Sequence, residues 1–190
     1  MSVPASHPAS SSPVAGLRAL ALAGVVARET VLVLGFALAL AGASRIVVPL
    51  GFTPVPVTAQ TFVVLVGGVL LGARRAGGGG LTYLALGVAG IPWFATGGAT
   101  LGYIAGFALA ALLVGRAAQA GRLDRRASAL VVMAGAHAVI YVLGATWLAL
   151  FLGVGPVAAL TLGVAPFMIG DAIKVAAAAA IAPSLVRISR

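Results

Sequence analysis

The sequence predicts an all-α integral membrane protein of six transmembrane helices with both termini in the cytoplasm, and three observations carry that prediction. The first is composition: 62% of the 190 residues are hydrophobic and only 8% are charged, against roughly 45–50% and about 25% in soluble domains. A soluble globule of this length has too much surface to hide so many apolar side chains, and a disordered chain is apolar-poor. The second is segmentation into hydrophobic stretches on the scale of the about 20 residues that a crossing helix needs. The third is the placement of the basic residues, which alternates from loop to loop.

Residues 1–16 (MSVPASHPASSSPVAG) are rich in Ser, Pro and Ala and are expected to be a disordered tail, leaving residues 17–190 as a single six-helix transmembrane domain. Residues 17–28 (LRALALAGVVAR) are too short to cross and read as an interfacial helix or the frame of the first span. They lack the basic start and cleavage-site pattern of a signal peptide.

Six stretches come next. The first runs from Thr30 to Val48 and stops at Pro49, which cannot continue a helix. The second, Thr61 to Gly72, and the third, Gly77 to Gly90, are short, which suits helices inside a bundle. The fourth covers Leu101 to Val114 and the fifth Leu130 to Leu152. The sixth covers Val157 to Ile181 and carries Pro166, where a kink is expected.

With the N-terminus inside, the cytoplasmic loops hold Arg18, Arg28, Arg74, Arg75, Arg116, Arg122, Arg125, Arg126, Arg187 and Arg190, while Arg45 is the one basic residue at an external helix end. That asymmetry orients the chain. It also accounts for the net charge of +9 without nucleic acid as a partner.

Within the spans, charge is expensive. Asp171 and Lys174 in PFMIGDAIKV each cost about 2.5–3.5 kcal/mol at the centre of a span. Their i,i+3 spacing puts them on one helical face, where they can pair. The pair reads either as a clamp between helices or as an acceptor and a cationic donor offered to a polar ligand. Gly170 leaves space for a ligand beside the backbone. Thr58, Gln60 and Thr61 lie at the end of the extended TPVPVTAQT loop, with Thr58 a candidate helix cap. Tyr83 and Tyr141 can offer phenols. Trp93 and Phe94 in an uncharged external loop read as membrane-interface anchors or as a lid over a ring-shaped ligand. His137 reads as a core histidine bonded to a backbone carbonyl, with no neighbouring ligands for a metal. Gly77 to Gly80 lack the strand and the Lys-Ser/Thr of a phosphate loop. Ala37, Ala39, Ala41 and Ala43 make a small-residue strip for another helix, in this bundle or on a partner.

There are no cysteines, so disulfides, thiolate nucleophiles and Cys-ligated metals are absent. No HExxH motif or Ser–His arrangement supports an enzyme.

The segments PVPVTAQT, YLALGVAGIPWFA, GYIAGFALAALLVG, IYVLGATWLALFLG and PFMIGDAIKVAAAA, in that order over residues 30–185, resemble the biotin-specific substrate-binding (S) component of energy-coupling factor (ECF) transporters, the BioY family. The resemblance implies a six-helix S-component bundle that binds biotin near its external face and works with a transmembrane coupling subunit and two cytoplasmic ATPases. It implies no catalysis and no cofactor. It assigns Asp171 and Lys174 to the ligand site, with Tyr83, Trp93, Phe94, Tyr141 and Gly170 as further candidates, and Ala37 and Ala41 to the docking of the coupling subunit. An S component for another small vitamin, a biotin transporter working without the ATPases, and self-association are left open. The chain departs from the family where ATGGATLGY shortens the loop after the third span, and where Ala136 or His137 stands in place of an asparagine.

Overall fold

The computed structural model describes residues 13–94 and 98–189, so the expected tail lies largely outside the described residues. The chain parts into two compact units, residues 1–31 and 32–190. Helix α1 is assigned over Pro13–Ala43, and its stretch up to Val31 belongs to the first unit. The second unit holds every element of the candidate site.

Beyond α1 come the strands β1 (Val47–Val48) and β2 (Val57–Thr58) and the helices α2 (Gln60–Val88), α3 (Leu101–Gln119), α4 (Arg126–Leu152), α5 (Pro156–Gly163) and α6 (Met168–Ser189). Short 3-10 turns at Gly98–Thr100 and Ala165–Phe167 precede α3 and α6. Among the described residues five helical stretches are long and apolar enough to cross a membrane, with α5, the turn after it and α6 making one of them.

The first stretch ends earlier than expected. α1 stops at Ala43, and Val47 and Val48 pair antiparallel with Thr58 and Val57. The β-branched run Ile46-Val47-Val48 before Pro49 favours extended backbone, so the helix gives way to a two-residue ribbon.

The expected second and third stretches are one element, α2, interrupted at Gly72 (φ 75°, ψ 174°). Its two arms fold back on each other. Gln60 Nε2 donates to the Tyr83 hydroxyl at 2.9 Å, whereas 23 residues of straight helix would span about 34 Å. Phe36 of α1 likewise lies against both Gly67 and Gly79, one on each arm. Gly72 is in the left-handed region that glycine enters without penalty. The Gly77–Gly80 run falls within the second arm, where Gly80 brings the backbone against Ala108 of α3 and Gly79 against Val33 and Phe36 of α1.

The sixth stretch breaks where Pro166 predicts, at a 3-10 turn preceded by Val164 (φ −126°, ψ −57°). In an apolar bundle the carbonyls freed by a break need donors. Thr53 Oγ1 donates to Leu162 O and Tyr103 Oη to Gly163 O, each at 2.8 Å. The second half then restarts as α6, with Asp171 in its first turn.

Close approach of small residues sets the packing, as expected where lipid removes the hydrophobic drive between helices. A Cβ on Gly115 would press into the backbone of Gly72 and Ala73, and one on Gly106 would stand 2.8 Å from the Ile140 Cα. These are backbone atoms that cannot swing aside. Gly115→Ala is therefore expected to cost about 1–3 kcal/mol as overpacking, read as a lower thermal midpoint in detergent. Gly35→Ala, which meets nothing within 4 Å, should hold or raise the midpoint.

Candidate functional site

A cavity of about 350 Å³ opens among the ribbon, the loop before α3, and the helices α3, α4 and α6. It falls within the about 300–1,000 Å³ typical of small-molecule sites. One wall is apolar, with Phe94, Ile104, Phe107, Ile140 and Phe167. Tyr103 joins this wall through its ring, its hydroxyl being spent on the carbonyl of Gly163. The opposite pole is charged, and Asp171 is its centre.

Asp171 is buried, and its two carboxylate oxygens are met from three helices. Lys174 Nζ donates to Oδ1 at 2.8 Å, and Thr61 Oγ1 of α2 donates to the same oxygen at 3.3 Å. The Tyr141 hydroxyl of α4 donates to Oδ2 at 2.7 Å, and His137 Nε2 stands 3.1 Å from that oxygen. The restart of α6 after Pro166 places the carboxylate at a helix N-terminus, where the backbone dipole favours negative charge. Lys174 spends a second proton on Thr58 O at 2.8 Å, which leaves one of its three donors for a ligand.

The Thr58 capping expectation holds in a modified form. Thr58 Oγ1 accepts the Gln60 backbone N–H at 3.3 Å and donates to Gln60 Oε1 at 3.2 Å, one residue ahead of the assigned cap Ala59. Gln60 is thereby aimed across α2, giving its amide protons to Tyr83 Oη and to Leu40 O.

Of the residues singled out in the sequence, Asp171, Lys174, Tyr141, Phe94 and Trp93 line the cavity, Trp93 at 70% exposure. Thr58, Gln60 and Thr61 line it as well. Tyr83 is fully buried behind Gln60, its ring 5.5 Å from that of Phe94, and stands outside the lining. Gly170 is also outside the lining, with open space where a Cβ would lie. Ala37 and Ala41 are 1% and 5% exposed. Both pack within the bundle, one of the two readings the sequence leaves open for their strip, while Ala39 of the same strip is exposed. Gly35, Leu38 and Gly42 are among the other exposed positions of α1. His137 faces a carboxylate and not a backbone carbonyl, which corrects its reading from the sequence. Isolated on its span in the sequence, it gives no sign of the contact with α6.

Arg45 joins the site although sequence reasoning assigns it only to topology. It lines the mouth beside Ser44 and donates from Nη2 to Pro92 O at 3.4 Å. Its one signal in the sequence is the break in the charge pattern, as the single basic residue on the otherwise uncharged side. Trp147 Nε1 donates to Gly98 O at 2.5 Å, which fixes the far end of the same loop to α4. Among the described residues no group of three His, Cys, Asp or Glu is placed to hold a metal. The arrangement suits reversible capture: a carboxylate and an ammonium at the closed end, aromatic walls, and a guanidinium at the mouth.

The BioY family model matches residues 11–190 of this chain. The chain is 36% identical over 167 residues to a probable biotin transporter BioY of Pyrococcus horikoshii, covering 84% of this chain and 96% of that protein. It is 34% identical over 147 residues to the biotin transporter BioY of Rhizobium etli, covering 70% and 78%. In three dimensions it matches the crystal structure of the S-component for biotin from an ECF-type ABC transporter, with a TM-score of 0.72 at 20% identity over 86% of this chain and 93% of that one. At that identity the likeness concerns the fold.

Removing one member of a buried ion pair strands the other, at about 3–5 kcal/mol, whereas replacing both with apolar groups is far milder. Lys174→Met is therefore expected to destabilise the purified protein more than the double change Asp171→Leu with Lys174→Met. Equal loss in both, by chemical unfolding in detergent, would remove the pair from the stability account.

Proposed function

The chain belongs to the BioY family, and on that footing we propose that it captures biotin and carries it across the cytoplasmic membrane as the S component of an ECF-type transporter. The observation that carries this reading is the cavity with Asp171 and Lys174 at one pole and Arg45 at the mouth. Biotin has matching chemistry at its two ends. Its ureido ring presents two N–H donors and a carbonyl oxygen, and its valerate chain ends in a carboxylate.

In this reading the free donor of Lys174 meets the ureido oxygen and Asp171 accepts a ureido N–H. The carboxylate is already engaged, so the incoming N–H replaces its longest contact, the 3.3 Å bond from Thr61. Charge-assisted bonds in a dry cup are the strong ones. The bicyclic body lies against Phe94, Tyr103 and Phe107, Trp93 covers it, and the valerate reaches Arg45. Tyr83 acts through Gln60, at one remove.

Binding alone is not uptake. In this reading energy is supplied by a transmembrane coupling subunit and two cytoplasmic ATPases. With the Gly72 fold-back counted as two crossings, the five apolar stretches become six, and both termini lie in the cytoplasm with the arginine-rich loops.

Two experiments test this. Biotin at about 100 times its dissociation constant should stabilise the folded protein by ~2.7 kcal/mol. That stabilisation should vanish in Asp171→Asn and weaken in Arg45→Ala, by thermal shift with a radiolabelled-biotin check. Stabilisation by a different vitamin, with biotin failing to compete, would replace the ligand. For topology, the absence of cysteine makes single-cysteine variants clean. A membrane-impermeant thiol reagent added to whole cells should label a cysteine at Trp93 and spare one at Arg122 or Arg187; the opposite pattern would invert the orientation.

A further inference from the structure

We infer that His137 is a positioning residue that sets how strongly Asp171 accepts a ligand's N–H, so that capture of the ligand is linked to a proton; this rests on the biotin reading above. His137 sits on α4 one turn before Tyr141 and is 4% exposed. Its ring meets the Tyr141 ring edge-on, with centroids 4.6 Å apart at 86°. Nε2 stands 3.1 Å from Asp171 Oδ2, off the axis of a well-directed hydrogen bond, and Nδ1 has no hydrogen-bond partner among the described residues. The titratable and charged groups around it are Tyr141 on its own helix and Asp171 and Lys174 on α6, while α2 contributes the neutral Thr61.

This geometry separates the two protonation states of the ring. A neutral imidazole with its proton on Nε2 faces the carboxylate favourably and leaves at Nδ1 only an unused lone pair. A second proton would have to go on Nδ1, where it becomes a buried donor without an acceptor. It would also place a second cation beside a carboxylate already paired with Lys174. Two cations drawing on one carboxylate make it a poorer acceptor for a ureido N–H. Capture therefore favours neutral His137, and by linkage the bound ligand expels the proton.

Affinity is accordingly full while the ring is neutral. It falls as the ring takes up a second proton, by at most about tenfold per pH unit for one proton. The chain's other histidine, His7, lies outside the described residues.

The experiment is calorimetric titration of biotin into the full-length detergent-purified protein at pH 5.5, 6.5 and 7.5. It uses wild type, His137→Gln, His137→Phe and His7→Gln. The wild-type dissociation constant is expected to rise between pH 7.5 and 5.5, by no more than about tenfold per pH unit for one proton. His7→Gln should keep that profile. His137→Gln retains an N–H without titrating and should give a flat profile, while binding more tightly than His137→Phe. Parallel profiles in wild type and His137→Gln would overturn the inference. If wild type binds no biotin at any pH, the ligand reading falls, and the proton link is judged on the ligand-free melting curves. A shift of the midpoint between pH 7.5 and 5.5 that differs between wild type and His137→Gln sustains it, and parallel shifts overturn it.

Discussion

A carboxylate inside an apolar bundle is the constraint around which this molecule is arranged. An isolated charge in that setting is too costly to keep, so Asp171 must be surrounded, and the groups that surround it come from different parts of the chain. Thr61 arrives from the start of α2, His137 and Tyr141 from α4, and Lys174 from one turn further along α6. Lys174 in turn reaches the backbone of the ribbon at Thr58. Satisfying one side chain thus fixes the relative positions of three helices and a loop. The same contacts build the polar pole of the cavity, so fold and site are here one set of interactions.

A second demand comes from the backbone. Wherever a helix breaks in lipid, its freed polar groups need partners, and both breaks here have consequences at the cavity. The break around Pro166 hands its carbonyls to Thr53 and Tyr103 and lets α6 begin close to Asp171. The break at Gly72 turns α2 back on itself, and Gln60 and Tyr83 close the two arms together beside the ribbon. Tyr103 and Gln60 consequently serve two masters, lining the cavity while holding the chain where it leaves regular structure.

Much of this is legible in the residues. The cost of charge in a span points to Asp171 and Lys174, and proline chemistry points to the kink at Pro166. Glycine abundance points to close helix contacts, which the backbone approaches at Gly106 and Gly115 bear out. The misses have physical reasons. Arg45 reads only as an orientation signal, because proximity to a cavity mouth leaves no trace in local sequence. His137 and Asp171 are 34 residues apart and meet only through tertiary packing. The fold-back at Gly72 is masked by the four glycines just beyond it, which look the more natural place for a turn and are in fact helical.

The placement of the aromatic residues has a practical side. The chain has two tryptophans, and both are tied to the same short loop. Trp93 stands in it at the cavity mouth, and Trp147 is bonded to the Gly98 carbonyl where it ends. Nothing else in the molecule emits as an indole. Its ultraviolet fluorescence is therefore a local signal from the mouth, with one emitter facing outward and one held by the backbone. The protein carries its own optical gauge of that loop, and no dye need be attached to follow the mouth in detergent or in a lipid vesicle.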